Sequence, residues 1–440
     1  MASIQTKGKQ VYVVYRYTDA FGKEKQKWEP VKNKTAANKR KAEIENEQYQ
    51  GTFITPDGIR MEEFLEKYIA LYGRKKWNAT TMGKNKQLIK NYINPILGNV
   101  RIQDITTFVV DDYYSTLEKK RSVKDSDNMV SVYTIQSINK LLRCAFNMAR
   151  KWELIKRNPF EDATLPYHKY KEREVLTPDQ IMTVLNDCKD PKLSIAINLS
   201  FACTLRIGEI LGLQWSNVFI SDEDILKDDA HVIIDKQLQR ESIEDLEELN
   251  YKDIIFVFPH VVPRNHTTVL TLKSTKSNSD RKVWIPRTLA QLLREWKENQ
   301  EEMKQLLGKE YTDYDLVVCL ENGRPCSTET IGAAWRKLRE KHGISKNVVF
   351  HSFRHSSITQ KLKLNHGDIK ATQGDSGHRQ ADMITKVYAH IQDDDRKLTA
   401  KKFDSDFYNQ NVDDDNMKDV LAKLISSPDV KDLVTKLLED

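Results

Sequence analysis

The chain has 440 residues, of which 39% are hydrophobic and 30% are charged, and its formal net charge is +6. This length predicts two to four domains with real cores. No run of 18 or more apolar residues occurs, which argues against a membrane span, and the N-terminus lacks the apolar stretch of a secretory signal. Five scattered cysteines without a CxxC pair indicate reduced thiols in a cytoplasm and argue against a disulfide frame or a zinc ribbon. The mild positive charge only weakly favours a nucleic-acid partner.

Residues 1–55 are predicted to form a small separate module. A strand over Val11–Tyr17 and a second strand over Lys23–Trp28 precede a helix over Thr35–Tyr49, with Thr35 as its N-cap. A basic sheet with exposed aromatic residues can lie in a DNA groove, whereas the alternative is a solvated hairpin. Basic residues lie on both strands and at the start of the helix: Lys23, Lys25, Lys27, Lys32, Lys34, Lys39, Arg40 and Lys41.

Residues 58–166 are predicted to form a compact bundle of four to five short helices. Apolar residues recur there at helical spacing, for example in Phe64-Leu65, Tyr68-Ile69 and Tyr72. Lysines cluster near the predicted helix starts, at Lys75, Lys76, Lys84, Lys86 and Lys90. Such a run of charge is typical of a solvated helix face, so a DNA-binding role needs support from elsewhere in the chain.

Residues 173–404 are predicted to form the largest domain, in which helices flank a strand-rich middle. Thr177-Pro178-Asp179-Gln180 has the pattern of a capped helix start with proline at the first helical position. An acidic segment, residues 241–248, interrupts the strands, and we expect it to be a surface insertion.

Residues 405–440 form an acidic tail with two amphipathic stretches. Short helices with bare apolar stripes need a partner surface. Two alternatives remain open for this tail: it packs on its own domain, or it docks onto a neighbouring protomer.

Two regions of the large domain carry candidate phosphate-binding cations. Arg206 lies where one predicted helix ends and another begins, and Glu209 one turn later can orient its guanidinium group towards phosphate oxygens. The alternative is an ordinary Arg–Glu surface pair. Lys273 and Lys276 lie on one arm and the turn of a predicted β-hairpin, where a lysine can enter a groove or simply be solvated.

A third region, residues 350–391, concentrates histidine, arginine and tyrosine. His351 and Arg354 are three residues apart and therefore lie on one helical face. His355, four residues after His351, suggests zinc, but the glutamate that the metalloprotease pattern requires is missing and no nearby carboxylate or cysteine completes a ligand set. His378 and Tyr388 follow, and a buried core position is the alternative for any single tyrosine.

Together these motifs resemble the tyrosine recombinases of the phage integrase family, most closely the integrases of conjugative transposons. The resemblance covers nearly all of residues 1–404. TLRIGEILGLQW (204–215) is similar to the first arginine box of the family, HSFRH (351–355) to its His-x-x-Arg box, SGH (376–378) to its third basic position and VYAH (387–390) to its tyrosine box.

The resemblance implies a multidomain, mainly α fold with small β elements. Its parts would be an arm-type DNA-binding domain with a three-stranded sheet (1–55), a helical, SAM-like core-binding domain (58–166), a mixed α+β catalytic domain (173–404) and the tail (405–440). The implied activity is site-specific cutting and rejoining of DNA through a 3′-phosphotyrosine, for integration and excision of a mobile element. A type IB-like topoisomerase and a catalytically inactive DNA-binding regulator are the alternatives.

The resemblance also implies a role for each site residue. Tyr388 would attack the scissile phosphate, Arg206 and Arg354 would hold its non-bridging oxygens, and His351 and His378 would assist proton transfer. Lys276 would protonate the departing 5′-oxygen, with Lys273 as the alternative lysine. No cofactor, metal or ATP is expected, because the phosphotyrosine conserves the bond energy.

The implied partners are double-stranded DNA at core and arm sites, and further copies of the chain in a tetramer on DNA, with the tail as a candidate contact. An excision factor and a host DNA-bending protein are implied too, and the expected location is the bacterial cytoplasm, at the nucleoid. The chain departs from the family pattern at Thr204, where glycine is usual, and in its long hairpin turn. The 241–248 insertion and the tail lie outside the common pattern.

Overall fold

The computed structural model describes residues 2–18, 23–50, 53, 58–123, 125, 127–167, 174–260, 265–275, 280–365, 367–377 and 400–402. The chain divides into two compact units. The first unit contains Met1–Glu172 and Arg240–Thr271, and the second contains Arg173–Gln239 and Leu272–Asp440. Of the helices in the described ranges, none is both long and apolar enough to cross a membrane.

The described residues contain nine strands in three sheets of three strands each, with the orders β1-β2-β3, β4-β5-β9 and β6-β8-β7. The strands are β1 (Ser3–Lys7), β2 (Gln10–Thr18), β3 (Glu24–Val31), β4 (Val218–Phe219), β5 (His231–Ile234), β6 (Lys236–Ser242), β7 (Ile254–Val257), β8 (Thr268–Ser274) and β9 (Arg281–Trp284).

Sixteen α-helices lie within the described ranges, and two π-helical turns, Ile69–Gly73 and Ile89–Ile93, join α2 to α3 and α4 to α5. The helices are α1 (Lys34–Tyr49), α2 (Met61–Tyr68), α3 (Arg74–Lys76), α4 (Ala79–Leu88), α5 (Asn94–Leu97), α6 (Thr107–Glu118), α7 (Val132–Lys151), α8 (Pro178–Asn186), α9 (Pro191–Ala202), α10 (Ile207–Leu211), α11 (Asp222–Leu226), α12 (Ile243–Glu248), α13 (Arg287–Leu307), α14 (Thr328–Lys341), α15 (His351–Leu364) and α16 (Ile369–Ser376).

The N-terminal sheet packs one face on α1. Val13 and Tyr15 of β2 alternate towards this helix and form a small core with Ala37 and Ile44. The helix begins one residue earlier than Thr35, the predicted N-cap. Asn33 caps it instead, because its side-chain oxygen accepts a hydrogen bond from the backbone N–H of Ala36 at 2.8 Å.

The other face of this sheet is open and aromatic. Val14 pairs with Trp28 across β2 and β3, and the Tyr12 and Trp28 rings meet edge to face at 5.8 Å. Lys25 and Lys27 pair with Tyr17 and Tyr15, so these two lysines lie on the α1 face of β3. Directly opposite residues share a face of a sheet. The open face therefore carries aromatic rings rather than the lysines of β3.

Helices α2 to α7 of the first unit surround a large apolar cluster. The residues at helical spacing are buried: Phe64, Leu65 and Tyr68 are each no more than 1% exposed. Tyr113 donates a hydrogen bond from its hydroxyl to the carbonyl oxygen of Tyr92 at 3.1 Å, which satisfies that buried polar group.

The acidic insertion packs against α4 within the first unit. Leu246 of this segment and Leu249, directly after it, bury their side chains with Ala79 and Met82 of α4. Contrary to the expectation of a surface segment, Asp245 is only 4% exposed. Only one side of α12 is therefore at the surface.

Lys86 of α4 is the centre of an ion-pair network with this insertion. Its Nζ lies 2.6 Å from Glu248 Oε2, 2.8 Å from Asp245 Oδ1 and 3.4 Å from Glu244 Oε1. Burial alone would lower the pKa of Lys86, but its hydrogen bonds to Asp245 and Glu248 raise it instead. Arg74 contacts Glu248 at 2.9 Å. Lys86, one of the lysines with a candidate DNA-binding role, is thus engaged by carboxylates of the chain itself.

The second unit is mainly helical and contains the sheet β4-β5-β9. The Phe353 ring of α15 packs edge to face on Trp335 of α14 at 4.7 Å, and both side chains are fully buried. The predicted fold class, mainly α with small β elements, is confirmed. The domain bounds predicted from the sequence stay predictions.

Candidate active site

Arg206 lies at a tight junction between α9 and α10. The junction contains Thr204 with a backbone φ of +57°, a left-handed conformation that glycine adopts freely and a β-branched residue adopts rarely. The Thr204 hydroxyl shares a hydrogen bond of 2.8 Å with that of Ser357, which helps to hold this turn. The departure from the family pattern at Thr204 thus falls where the backbone favours glycine.

Glu209 fixes the guanidinium group of Arg206, as predicted from their spacing. The Arg206 Nη1 lies 2.8 Å from Glu209 Oε1, and the backbone N–H of Arg206 donates to Oε2 at 2.9 Å. The Glu209 side chain is 5% exposed, whereas the Arg206 side chain is 39% exposed. Arg206 can therefore bind a ligand from solvent while its anchor is buried.

Arg354, on the first turn of α15, is almost completely buried. Its guanidinium group donates hydrogen bonds to two backbone carbonyl oxygens, those of Thr204 and, at 2.6 Å, of Ser376. Burial, followed by the positive charge of Arg206, lowers the pKa of Arg354 to about 9. The helix of the His-x-x-Arg box and the junction of the first arginine box therefore meet in one place.

Arg281 is a third guanidinium group in this cluster, and the sequence reasoning missed it. Its Nη2 lies 2.6 Å from Glu209 Oε2, and its Nη1 lies 3.2 Å from Oε1. Burial alone would raise the pKa of Glu209, but the hydrogen bonds and charge of Arg281, and then those of Arg206, lower it to about 2. No local spacing signals this role, because 72 residues separate Arg281 from Glu209.

Two further candidate residues lie in described segments. His351 is the first residue of α15 and is half-buried, and its ring meets that of His355 edge to face at 4.7 Å. Lys273, the alternative lysine, is 5% exposed within β8.

Lys276, His378 and Tyr388 lie outside the described residues, and so does the tail, 405–440. Described residues lie close to two of these positions in the sequence. Thr275, after β8, directly precedes Lys276, and α16 ends at Ser376, two residues before His378. The structure thus brings together Arg206, Arg354 and the helix that carries His351.

The cluster suits binding of a phosphate group. Arg206 and Arg281 share one carboxylate, while Arg354 donates to backbone carbonyl oxygens, so the cluster carries excess positive charge. Guanidinium groups in such fixed orientations recognise phosphate oxygens and stabilise charge that develops on them. Within the described ranges, no group of three His, Cys, Asp or Glu side chains is placed to hold a metal ion.

Two family profiles match this chain. Residues 243–395 match the phage integrase family, and residues 61–117 match the N-terminal SAM-like domain of phage integrases. The first match includes the His-x-x-Arg helix and the tyrosine box, and the second includes α2 to α6.

Similar curated proteins extend along most of the chain. A XerC-like tyrosine recombinase of Caldanaerobacter subterraneus is 23% identical over 392 residues, which cover 86% of this chain and 92% of the relative. The ICEBs1 integrase of Bacillus subtilis is 26% identical over 336 residues, covering 72% of this chain and 76% of the relative.

Solved structures share the fold. The Tn1549 transposon integrase in complex with transposon right end DNA superposes with a TM-score of 0.60 at 19% identity, over 78% of this chain and 99% of that one. A lambda integrase dimer bound to a core site gives a TM-score of 0.50 at 16% identity, over 87% of this chain and 93% of that one.

These matches support a tyrosine recombinase of the phage integrase family. The chain is a site-specific recombinase, an enzyme that cuts and rejoins DNA. This confirms the function predicted from the four sequence boxes and favours it over the topoisomerase and regulator alternatives.

Proposed function

We propose that the enzyme cuts DNA by attack of Tyr388 on the scissile phosphate, leaving a 3′-phosphotyrosine and a free 5′-hydroxyl group. The guanidinium cluster around Glu209 is the observation that carries this proposal. A tyrosine with an ordinary pKa near 10 needs nearby cations or a base to attack at neutral pH. Arg206 and Arg354 supply such cations and would hold the non-bridging oxygens in the transition state.

The remaining roles concern proton transfer. His351, one turn before Arg354 on the same helix, and His378 would hold the phosphate and assist proton transfer. Lys276 would protonate the departing 5′-oxygen. Lys273, which lies within β8, is the alternative for this role.

The N-terminal sheet would bind the arm sites of the DNA with its open face. Trp28 on that face is 43% exposed, and Arg16 follows Tyr12 and Val14 on the same side of β2. Aromatic rings and a guanidinium group on a three-stranded sheet suit a DNA groove. This favours the DNA-binding interpretation over a solvated hairpin.

The assembly would be a tetramer on two DNA duplexes, with the 405–440 tail as a contact between protomers. The substrate would be the ends of a mobile element of the kind that the transposon and ICEBs1 integrases act on. An excision factor and a host DNA-bending protein would be further partners. An enzyme with this substrate works at the nucleoid, in the bacterial cytoplasm.

Covalent capture tests the proposal. Nicked duplexes that carry the sequences flanking the gene should become attached to the wild-type protein, and Tyr388→Phe should bind these duplexes with the same Kd but form no adduct. An adduct with Tyr388→Phe would refute the assignment of the nucleophile. EDTA should leave the cleavage rate unchanged, and the Kd should rise steeply with salt because phosphate contacts release counterions.

A further inference from the structure

Arg281, the first residue of β9, donates hydrogen bonds from all three nitrogen atoms of its guanidinium group. Besides its two contacts with Glu209, its Nε donates a hydrogen bond to the carbonyl oxygen of Asp375 at 3.2 Å. The side chain is only 13% exposed. A planar fork can make these contacts together, whereas the single ammonium group of a lysine cannot.

These contacts join three segments that each lead to a residue of the proposed active site. Glu209 holds the phosphate-binding Arg206. Asp375 lies at the end of α16, three residues before His378. Arg281 itself follows Lys276 by five residues in the chain.

The end of α16 packs closely against the Arg281 side chain. Gly377 has a φ of +61°, and a Cβ atom on it would lie 3.2 Å from the Cδ, Nε and Cζ atoms of Arg281. Arg354 donates to the carbonyl oxygen of Ser376, next to the carbonyl group that Arg281 contacts. Two arginines thus hold successive carbonyl groups at the point where the chain leaves the helix towards His378. Cations are favourable partners for the carbonyl end of a helix.

We propose that Arg281 is a positioning residue of the active site. Through Glu209 it holds Arg206 at a fixed position relative to the turn that precedes His378. It acts through these partners, to which its Nε, Nη1 and Nη2 atoms donate hydrogen bonds. The inference rests on the proposed roles of Arg206 and His378.

The test compares single-turnover cleavage of the nicked flanking duplex at saturating protein. Arg281→Met should slow cleavage about 100-fold, the effect of a displacement of about 1 Å in a catalytic group, and Arg281→Lys should slow it about tenfold. The Kd for DNA should change by less than about threefold for both variants, because binding rests on many phosphate contacts. Lys282→Met is the matched control. It removes a positive charge from the next position of β9, where Lys282 pairs with Asp229 and is 37% exposed.

The pH profile separates a positioning role from a purely structural one. In Arg281→Met the pKa of Glu209 rises, because its main stabilising partner is gone. Protonation of Glu209 then releases Arg206, so cleavage by this variant should fall more than that of the wild type as the pH is lowered. A variant profile parallel to that of the wild type would overturn the proposal, and so would cleavage as fast as that of Lys282→Met.

A double variant keeps the test valid if Arg281→Met does not fold. Arg281→Met with Glu209→Gln leaves no uncompensated buried carboxylate, so it should fold and still cleave slowly. Cleavage at the wild-type rate by the double variant would overturn the proposal. If the wild-type protein itself forms no adduct, the proposed function fails instead, which distinguishes the two failures.

Discussion

Replacing Glu209 by glutamine tests how much the buried carboxylate contributes to stability. Its pKa is lowered from the ordinary 4.5 to about 2. Since a tenfold change in proton affinity corresponds to about 1.4 kcal/mol, the charged form contributes about 3 kcal/mol to the free energy of unfolding at pH 7. Because the folded-state pKa is the lower one, this contribution is complete above about pH 4.5 and is lost as the pH falls through about 2. Glutamine has the shape of the protonated acid, so Glu209→Gln removes the contribution at every pH.

Hydrogen exchange in the peptides of α9 and α10, measured at each point of a urea titration, reports this effect locally. This measurement avoids the assumption that both units unfold together. The variant should be less stable than the wild type by about 3 kcal/mol at pH 7 and by about 2 kcal/mol at pH 3.5. Glu223→Gln is the matched control, because Glu223 forms an exposed pair with Lys227 that contributes less than about 1 kcal/mol. A loss that is equal at the two pH values, or below about 1 kcal/mol at pH 7, would refute the reasoning.

Three further predictions concern other parts of the chain. Leu246→Ala should destabilise the packing of the insertion on α4 by about 2–5 kcal/mol and speed hydrogen exchange in α4, whereas the exposed Glu247→Ala should not. Thr204→Gly should relieve backbone strain but lose the hydrogen bond to Ser357, so the two effects oppose each other. The free energy of unfolding should therefore change by less than about 1 kcal/mol in urea titrations, and a larger loss would contradict the strain argument. Trp28→Ala should raise the Kd for arm-site DNA at least about tenfold in a gel-shift assay without slowing cleavage of core-site DNA, and an unchanged Kd would exclude the open face as the binding surface.

Local sequence patterns predicted the helical parts and the pairing of Arg206 with Glu209. Apolar residues at helical spacing, such as Phe64 and Tyr68, are buried in one apolar cluster, because residues at this spacing lie on the same face of a single helix. The pairing of Arg206 with Glu209 followed in the same way from a spacing of one turn.

Contacts between distant segments could not be predicted in this way. Lys86 and Asp245 are 159 residues apart, and both belong to charge runs that are typical of solvated surfaces. Only the fold places them together, beside the buried Leu246. Arg281 was missed for the same reason, because a buried arginine is identified by its partners and not by its neighbours in sequence. The N-cap was misplaced because Asn33 and Thr35 are both good capping residues, and the chain uses the first.

Mapping the covalent adduct tests the central claim most directly. After capture on a nicked duplex and nuclease digestion, trypsin should release residues 387–396, VYAHIQDDDR, with a nucleotide attached at Tyr388. Mass spectrometry would locate the modified residue. The account predicts a nucleotide on Tyr388 and on no other tyrosine, whereas a nucleotide on a different residue, or capture that leaves Tyr388 unmodified, would contradict it.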